Sequence, residues 1–199
     1  MAEDRTSKDS RAQEIMDVAQ DMIQTRGYNG FSYRDIANEI GIKSASIHYH
    51  FPGKGQLGRA VAARYCENFM QALRELEAES KGDVKILLQG YVELYRATLI
   101  ESDRLCLCGM LAGETETVPD EVKQEVARFF NEQHQWLTKT LEQGLEQQSL
   151  ALKSSADATV WATTILSTLE GAMFVARGFG DNEQFNAAAQ NLLNVLFSD

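Results

Sequence analysis

The sequence predicts an all-α protein of about nine helices, and three observations carry that prediction. Only two prolines interrupt 199 residues. Apolar residues recur at three- and four-residue intervals over long stretches, the spacing of one helix face. Capping and breaking residues punctuate those stretches where helices begin and end. The expected organisation is an arm over residues 1–7 and a three-helix domain over 8–66 with a helix-turn-helix at 32–51. A larger helical domain over 67–199 completes it.

The first helix is read from about Lys8 to Arg26, with Ile15, Val18, Ala19, Met22 and Ile23 on one face. Gly27 stops it, and Tyr28-Asn-Gly-Phe31 is a connection whose aromatic rings turn back to the core. Ser32 then caps a helix from Tyr33 to Ile40, with Asp35 placed to complete a capping box. Ile36, Ala37 and Ile40 form its buried face. Gly41 supplies the positive φ of a tight bend. Ser44 caps a second short helix, Ala45 to His50, anchored by Ile47 and Phe51 and ended by Pro52. A small alanine lets two helices cross closely, the glycine turns the chain, and the isoleucine pins the second helix to the first. Such a pair is a helix-turn-helix, whose second helix is shaped for the major groove of DNA.

Gly53 opens a long helix over about 54–79, with Leu57, Val61, Tyr65, Phe69, Leu73 and Leu76 inward. The run RGYNGFSYRDIANEIGIKSASIHYHFPGKGQL, with the helix before it, resembles the DNA-binding domain of the TetR family of transcriptional repressors. The resemblance covers about residues 11–60: Gly27 with an aromatic next, Ile36-Ala37, Gly41, Tyr49-His50-Phe51-Pro52, and Lys54 before Leu57. Gly53 and Gly55 depart from it, standing where the family usually has a serine or asparagine cap and an acidic residue. His48 stands where tyrosine is commoner. Gly53, Gly55 and Gly58 also spell a dinucleotide-binding fingerprint, but that motif requires a preceding strand, and a helix is expected here.

Beyond a linker at 80–83, Asp83 caps a helix to about Glu101 with Leu87, Tyr91, Leu94, Tyr95 and Thr98 inward. Leu105 to Gly113 is a short apolar helix, and Pro119 precedes a long one over about 120–148 carrying Val122, Val126, Phe129, Phe130, Leu137, Leu141 and Leu145. Ser154 or Ser155 caps the next, to about Arg177. Gly178 and Gly180 break it, and Asn182 to Phe197 forms the last, with Phe185, Ala189, Leu192, Leu193 and Leu196 inward.

Charge separates the two parts. Residues 1–66 carry nine Lys and Arg against eight Asp and Glu, leaving ten against twenty-one for the remainder of a chain whose net charge is −10. The N-terminal part is thus free to approach phosphates. Cys66, Cys106 and Cys108 make neither a disulfide framework nor a metal pair. His48 and His50, two apart on one helix, do not chelate together, and nucleophile-elbow, zinc-protease and phosphate-loop motifs are absent. An enzyme, a cofactor and a metal are not expected. The polar N-terminus is no secretory signal, and no stretch is expected to span a membrane, which points to the cytoplasm.

The resemblance implies a homodimer on double-stranded operator DNA, released by a small-molecule effector. Lys54, Arg34, Tyr49 and Ser32 would position the phosphates, with Tyr33 and His50 beside them. Lys43, Ser44, Ala45, Ser46 and His48 would read bases. Tyr91, Tyr95, Met110, Phe130, Trp136, Trp161 and Met173 are candidates for the effector pocket. Trp161, Ile165, Leu169, Ala172, Leu192 and Leu196 are candidates for the dimer face, with Gly171-Ala172 allowing close helix approach. Two rivals stand beside this reading: a redox or electrophile sensor working through Cys106 or Cys108, and a helical interaction protein that does not bind DNA.

Overall fold

The computed structural model describes the backbone of residues 2–152 and 155–197, and the side chains of 10–152 and 158–197. Nine α-helices account for most of the described residues, and no strand occurs among them. The chain forms two compact units. The first comprises Met1–Glu67 and Leu107–Arg128, the second Asn68–Cys106 and Phe129–Asp199. The sequence places its boundary at 66/67 and assigns everything beyond to one domain. The structure instead returns a later segment to the first unit.

In that unit, α1 spans Ala2–Arg26, so the backbone is helical where an arm over 1–7 is expected. Ile15, Ala19, Met22 and Ile23 are buried, as their spacing demands. Gly27, at φ 79° and ψ 167°, leads into a 3-10 turn over Tyr28–Gly30. The buried rings of Tyr28 and Phe31 meet edge to face at 6.4 Å. Helix α2 (Tyr33–Ile40) starts with the expected capping box, in which Asp35 Oδ2 accepts the Ser32 N–H at 2.7 Å. It ends at Gly41 in the left-handed region. Helix α3 (Ser44–His50) begins one residue earlier than expected, so Lys43 is its N-cap and Ser44 is not. Ile47 is fully buried beneath it, and Phe51, before Pro52, is extended and ends it.

What brings the later segment back is a set of specific contacts. Helix α6 (Leu107–Gly113) packs on α1. Just beyond it Glu114 receives the N–H groups of Tyr28 and Asn29 at 2.7 and 3.0 Å. Asn29 Nδ2 reaches Thr117 Oγ1 at 2.6 Å. Two long helices then pass from one unit to the other in sequence: α4 (Lys54–Ser80) and α7 (Asp120–Glu146).

The second unit adds α5 (Val84–Arg96), α8 (Ser155–Phe179) and α9 (Glu183–Phe197). Asp83 caps α5 through the N–H groups of Lys85 and Ile86. The helix expected to run to Glu101 changes to a π-helical turn over Ala97–Glu101. There the Thr98 hydroxyl donates to the Leu94 carbonyl at 3.0 Å. Helix α8 packs along α9. The cap expected at Ser154 or Ser155 lies outside the described side chains. Where the sequence reading expects no stretch of membrane-spanning length, Ala158–Phe179 is long and apolar enough to cross a membrane by length and composition alone, with mean hydropathy 1.2 over an 18-residue window. That apolarity faces two ways, because one side carries core residues such as Ala162, Ile165, Leu169 and Met173 while the other remains exposed.

Candidate functional site

The exposed face of α3 is the first candidate. Lys43, Ala45, Ser46, His48 and Tyr49 are exposed on it, and Ser44 is half-buried. Arg34 is exposed on α2. Around this face the chain has committed several polar groups to holding its shape. The Tyr33 hydroxyl donates to the Phe51 carbonyl at 2.9 Å, tying α2 to the end of α3. Burial, with the neighbouring Tyr28, pushes that phenol up to about 12. Ser32 gives both its backbone N–H and its hydroxyl to Asp35, holding the carboxyl below its ordinary range. Both donors of Ser32, whose backbone the sequence reading assigns to a phosphate, are thus engaged with Asp35. The His48 ring lies 4.7 Å from the Tyr33 ring, with Nδ1 3.3 Å from the Pro52 carbonyl. A carbonyl only accepts, so Nδ1–H is the donor of that contact. Tyr49 and His50 stack edge to face at 5.3 Å.

Lys54 is less available than the sequence implies. Its ammonium is half-buried, donates to the Phe31 carbonyl, and lies 4.7 and 4.2 Å from the ring centres of Tyr28 and Phe31. Desolvation pulls its pKa below the ordinary lysine value, against the raising effect of Glu114 and Asp35. Two of the three glycines of the fingerprint, Gly55 and Gly58, also find a packing explanation. A Cβ on Gly55 would fall 2.3 Å from Glu121 and 3.3 Å from Pro119. One on Gly58 would fall 2.8 Å from Tyr28 and 3.2 Å from Val122. These positions let α4 approach the start of α7 closely, and a helix rather than a strand precedes them.

The second candidate is the interior of the second unit. Of the seven predicted pocket residues, Met110 belongs to the first unit and the other six to the second. Tyr91, Tyr95 and Met173 are fully buried, Trp136 nearly so, and Phe130 and Trp161 are half-buried. The hydroxyls of Tyr91 and Tyr95 both reach Gln133 Oε1, at 2.7 and 3.0 Å, and Tyr95 also reaches Glu170 Oε1 at 3.1 Å. Trp136 Nε1 donates to Glu77 at 3.0 Å. Burial raises both phenols and Glu170 above their ordinary values. Sequence reasoning misses Gln133 and Glu170, since a lone polar residue in an apolar run gives no sign that it points inward. A separate cleft of about 190 Å³ is lined by Glu77, Ser80, Leu87, Lys139, Thr140 and Gln143, and none of the predicted pocket residues lines it.

The residues predicted for the dimer face lie mostly inside the chain. Ile165, Leu169, Ala172, Leu192 and Leu196 are buried within the chain, and Trp161 is half-buried. The apolar side chains left exposed are Val160, Phe174, Val175, Phe179 and Val195, with Gly171 and Gly178 facing open space. Helical periodicity reveals an apolar face but not which of two apolar faces is internal.

Comparison with known proteins bears on both candidates. Residues 15–61 match the model of "Bacterial regulatory proteins, tetR family". Residues 87–191 match that of "Transcriptional regulator LmrA/YxaF-like, C-terminal domain". A TetR-family transcriptional regulator from Agrobacterium tumefaciens superposes with TM-score 0.88 at 32% identity, covering 96% of this chain and 100% of its own. A TetR transcriptional regulator from Legionella pneumophila superposes with TM-score 0.83 at 30% identity, over 92% and 95%. The HTH-type transcriptional repressor KstR2 of Rhodococcus jostii is 30% identical over 77 residues, spanning 39% of this chain and 38% of that one.

Proposed function

This chain belongs to the TetR family of bacterial regulatory proteins, and from that premise we propose that it is a ligand-released repressor binding a palindromic operator as a homodimer. The observation that carries the reading is the α3 surface. Lys43, Ala45, Ser46 and His48 stand exposed on a short helix whose own anchor, Ile47, is fully buried. A helix held that way enters a major groove without deforming. Lys43 fits the acceptors of guanine, and His48, held through Nδ1, would turn Nε2 to a base edge. Arg34 and Tyr49 would take phosphates, and Lys54 would position α3 from beneath rather than reach the backbone by itself.

Dimerisation is supported by the outward stripe of α8 and α9. Phe174 and Phe179 are large and exposed, and the exposed glycines beside them admit close helix contact. A second copy would cover this surface and set two recognition helices apart by a fixed distance. The effector would enter the second unit among Tyr91, Tyr95, Phe130 and Trp136. It would act by binding one conformation of the dimer better than the operator-bound one. Such a protein works in the cytoplasm, where its DNA is. The cysteine-sensor reading loses ground: Cys66, Cys106 and Cys108 are all buried, and Cys106 hydrogen-bonds a carboxyl group, whereas reactive thiolates are made by cationic neighbours.

Selection of bound duplexes from a random library at two salt concentrations tests the proposal. Enrichment of a palindrome is expected, lost when Phe174→Arg prevents dimerisation. Sequence-blind, salt-sensitive retention alone would overturn it.

A further inference from the structure

Glu170 is a half-buried residue whose carboxyl group lacks part of its hydrogen bonding. One oxygen, Oε1, receives the Tyr95 hydroxyl at 3.1 Å, and the group also meets the Cys106 thiol. The other oxygen, Oε2, is out of reach of solvent and has no hydrogen-bond partner. The shortage is more severe than that, because the Tyr95 hydroxyl has one proton and Gln133 Oε1, 3.0 Å away, competes for it. Among the described residues three other buried side-chain atoms lack a hydrogen bond: Arg64 Nε, Glu125 Oε2 and Arg128 Nε. Each belongs to a side chain engaged in an ion pair, Arg64 with Asp17 at 2.7 Å and Arg128 with Glu125 at 3.3 Å. Glu170 has no cation of its own among the described residues.

Its surroundings are aromatic. The Phe69 ring lies 6.0 Å from Tyr91, 5.9 Å from Tyr95 and 5.4 Å from Phe129. Tyr91 stacks on Trp136 at 5.5 Å. A carboxyl oxygen without a donor is costly to bury, and a fold has no structural need for it. A cation beside aromatic faces is attracted to them as well as to the carboxylate.

We propose that Glu170 Oε2 is the anchor point of the effector, and that the effector is an aromatic compound carrying a hydrogen-bond donor, with an ammonium group as its best form. The inference rests on the reading of the second unit as the effector-binding unit. The ammonium donates to Oε2 and compensates the charge, while the ring joins Phe69, Tyr91 and Trp136. Burial holds the carboxyl above its ordinary range, and a bound cation favours the ionised form again. Tyr95 positions the carboxyl, and Cys106 serves as a second donor to it.

The test uses the full chain and three probes with one ring system: naphthylmethylamine, naphthylmethanol and naphthylacetate. Binding is followed by tryptophan fluorescence, because Trp136 belongs to the same aromatic cluster, and by the rise in Tm. The amine is expected to bind about tenfold or more tighter than the acetate, and Glu170→Gln is expected to level the three to within about threefold. If the order survives in Glu170→Gln, if the acetate binds best, or if no probe binds, the proposal is overturned. Should Glu170→Gln fail to fold, Tyr95→Phe decides. It removes a donor and leaves the carboxyl needier, so the amine must bind several-fold tighter; an unchanged amine affinity overturns the proposal. Operator affinity is measured in parallel. Amine binding in the expected order without operator release supports the anchor and removes ligand release from the proposed function.

Discussion

Lys54 and Glu170 are both charged groups taken partly or wholly out of water, one in each unit, and the chain treats them differently. Lys54 gives a hydrogen bond to Phe31 and covers the faces of two rings, so its lost hydration is replaced from within the first unit. Glu170 is given one hydroxyl it must share and one thiol, and one oxygen is left with nothing. A charge satisfied by its own chain fixes local geometry. One left short of partners marks a place where something else binds. In the proposed function the first unit is accordingly a reading surface whose polar groups are already satisfied, and the second holds an incomplete polar site.

If the first unit's reading surface depends on the satisfied turn beneath α3, the most damaging small substitution is Gly27→Ala. Gly27 adopts a backbone conformation nearly confined to glycine, costing of order 1–3 kcal/mol for another residue. The added Cβ would also fall 2.1 Å from Glu114 Oε1, displacing the carboxylate from the Tyr28 and Asn29 N–H groups. Gly41→Ala is the control, since Gly41 is left-handed too but has nothing within 4 Å of the new Cβ. Urea unfolding should show Gly27→Ala costing clearly more. Equal costs would mean that the Glu114 bridge contributes nothing.

Next comes Lys54 itself. Lys54→Ala should lower stability by about 1.5–3 kcal/mol, the worth of a hydrogen bond to a charged group, and lower operator affinity with it. Arg34→Ala, on an exposed side chain, should leave stability within about 0.5 kcal/mol. It should weaken all duplexes alike and flatten the salt dependence by roughly one counterion. A Lys54→Ala protein of unchanged stability would return that ammonium to the DNA surface and undo the contrast with Glu170.

These differences also mark how far the sequence could be read. The helix-turn-helix was legible because its signals are local: Ser32 and Asp35, Gly41, and Pro52 act on residues within four positions. The 3.6-residue period found nearly every helix for the same reason. What escaped depends on distant partners. Nothing near Glu114 in the chain says that it caps the turn after Gly27, 87 residues back. The glycines at 55 and 58 look like a nucleotide motif until Pro119, Glu121 and Val122 are seen against them. The side of α8 that faces inward is undetermined in a helix apolar on both sides. Glu170 was invisible for the same reason, one acid in an apolar run.

The mildest expected effect concerns the pH dependence of stability. Burial raises the Glu170 carboxyl above its ordinary value of 4.5, and the bonds from Cys106 and Tyr95 only partly offset this. The folded chain therefore binds this proton more tightly than the unfolded chain does. Stability from this group is complete below the ordinary carboxyl range and declines as pH rises to the raised folded value, beyond which the decline stops. Glu170→Gln has no such proton, so the difference in Tm between variant and wild type should move in the variant's favour as pH rises from acid to neutral. The amine probe should shrink that difference by stabilising the ionised wild type alone. A difference that is constant with pH would mean that Glu170 is hydrated and already ionised. The orphaned oxygen, and the contrast with Lys54 built on it, would then fall.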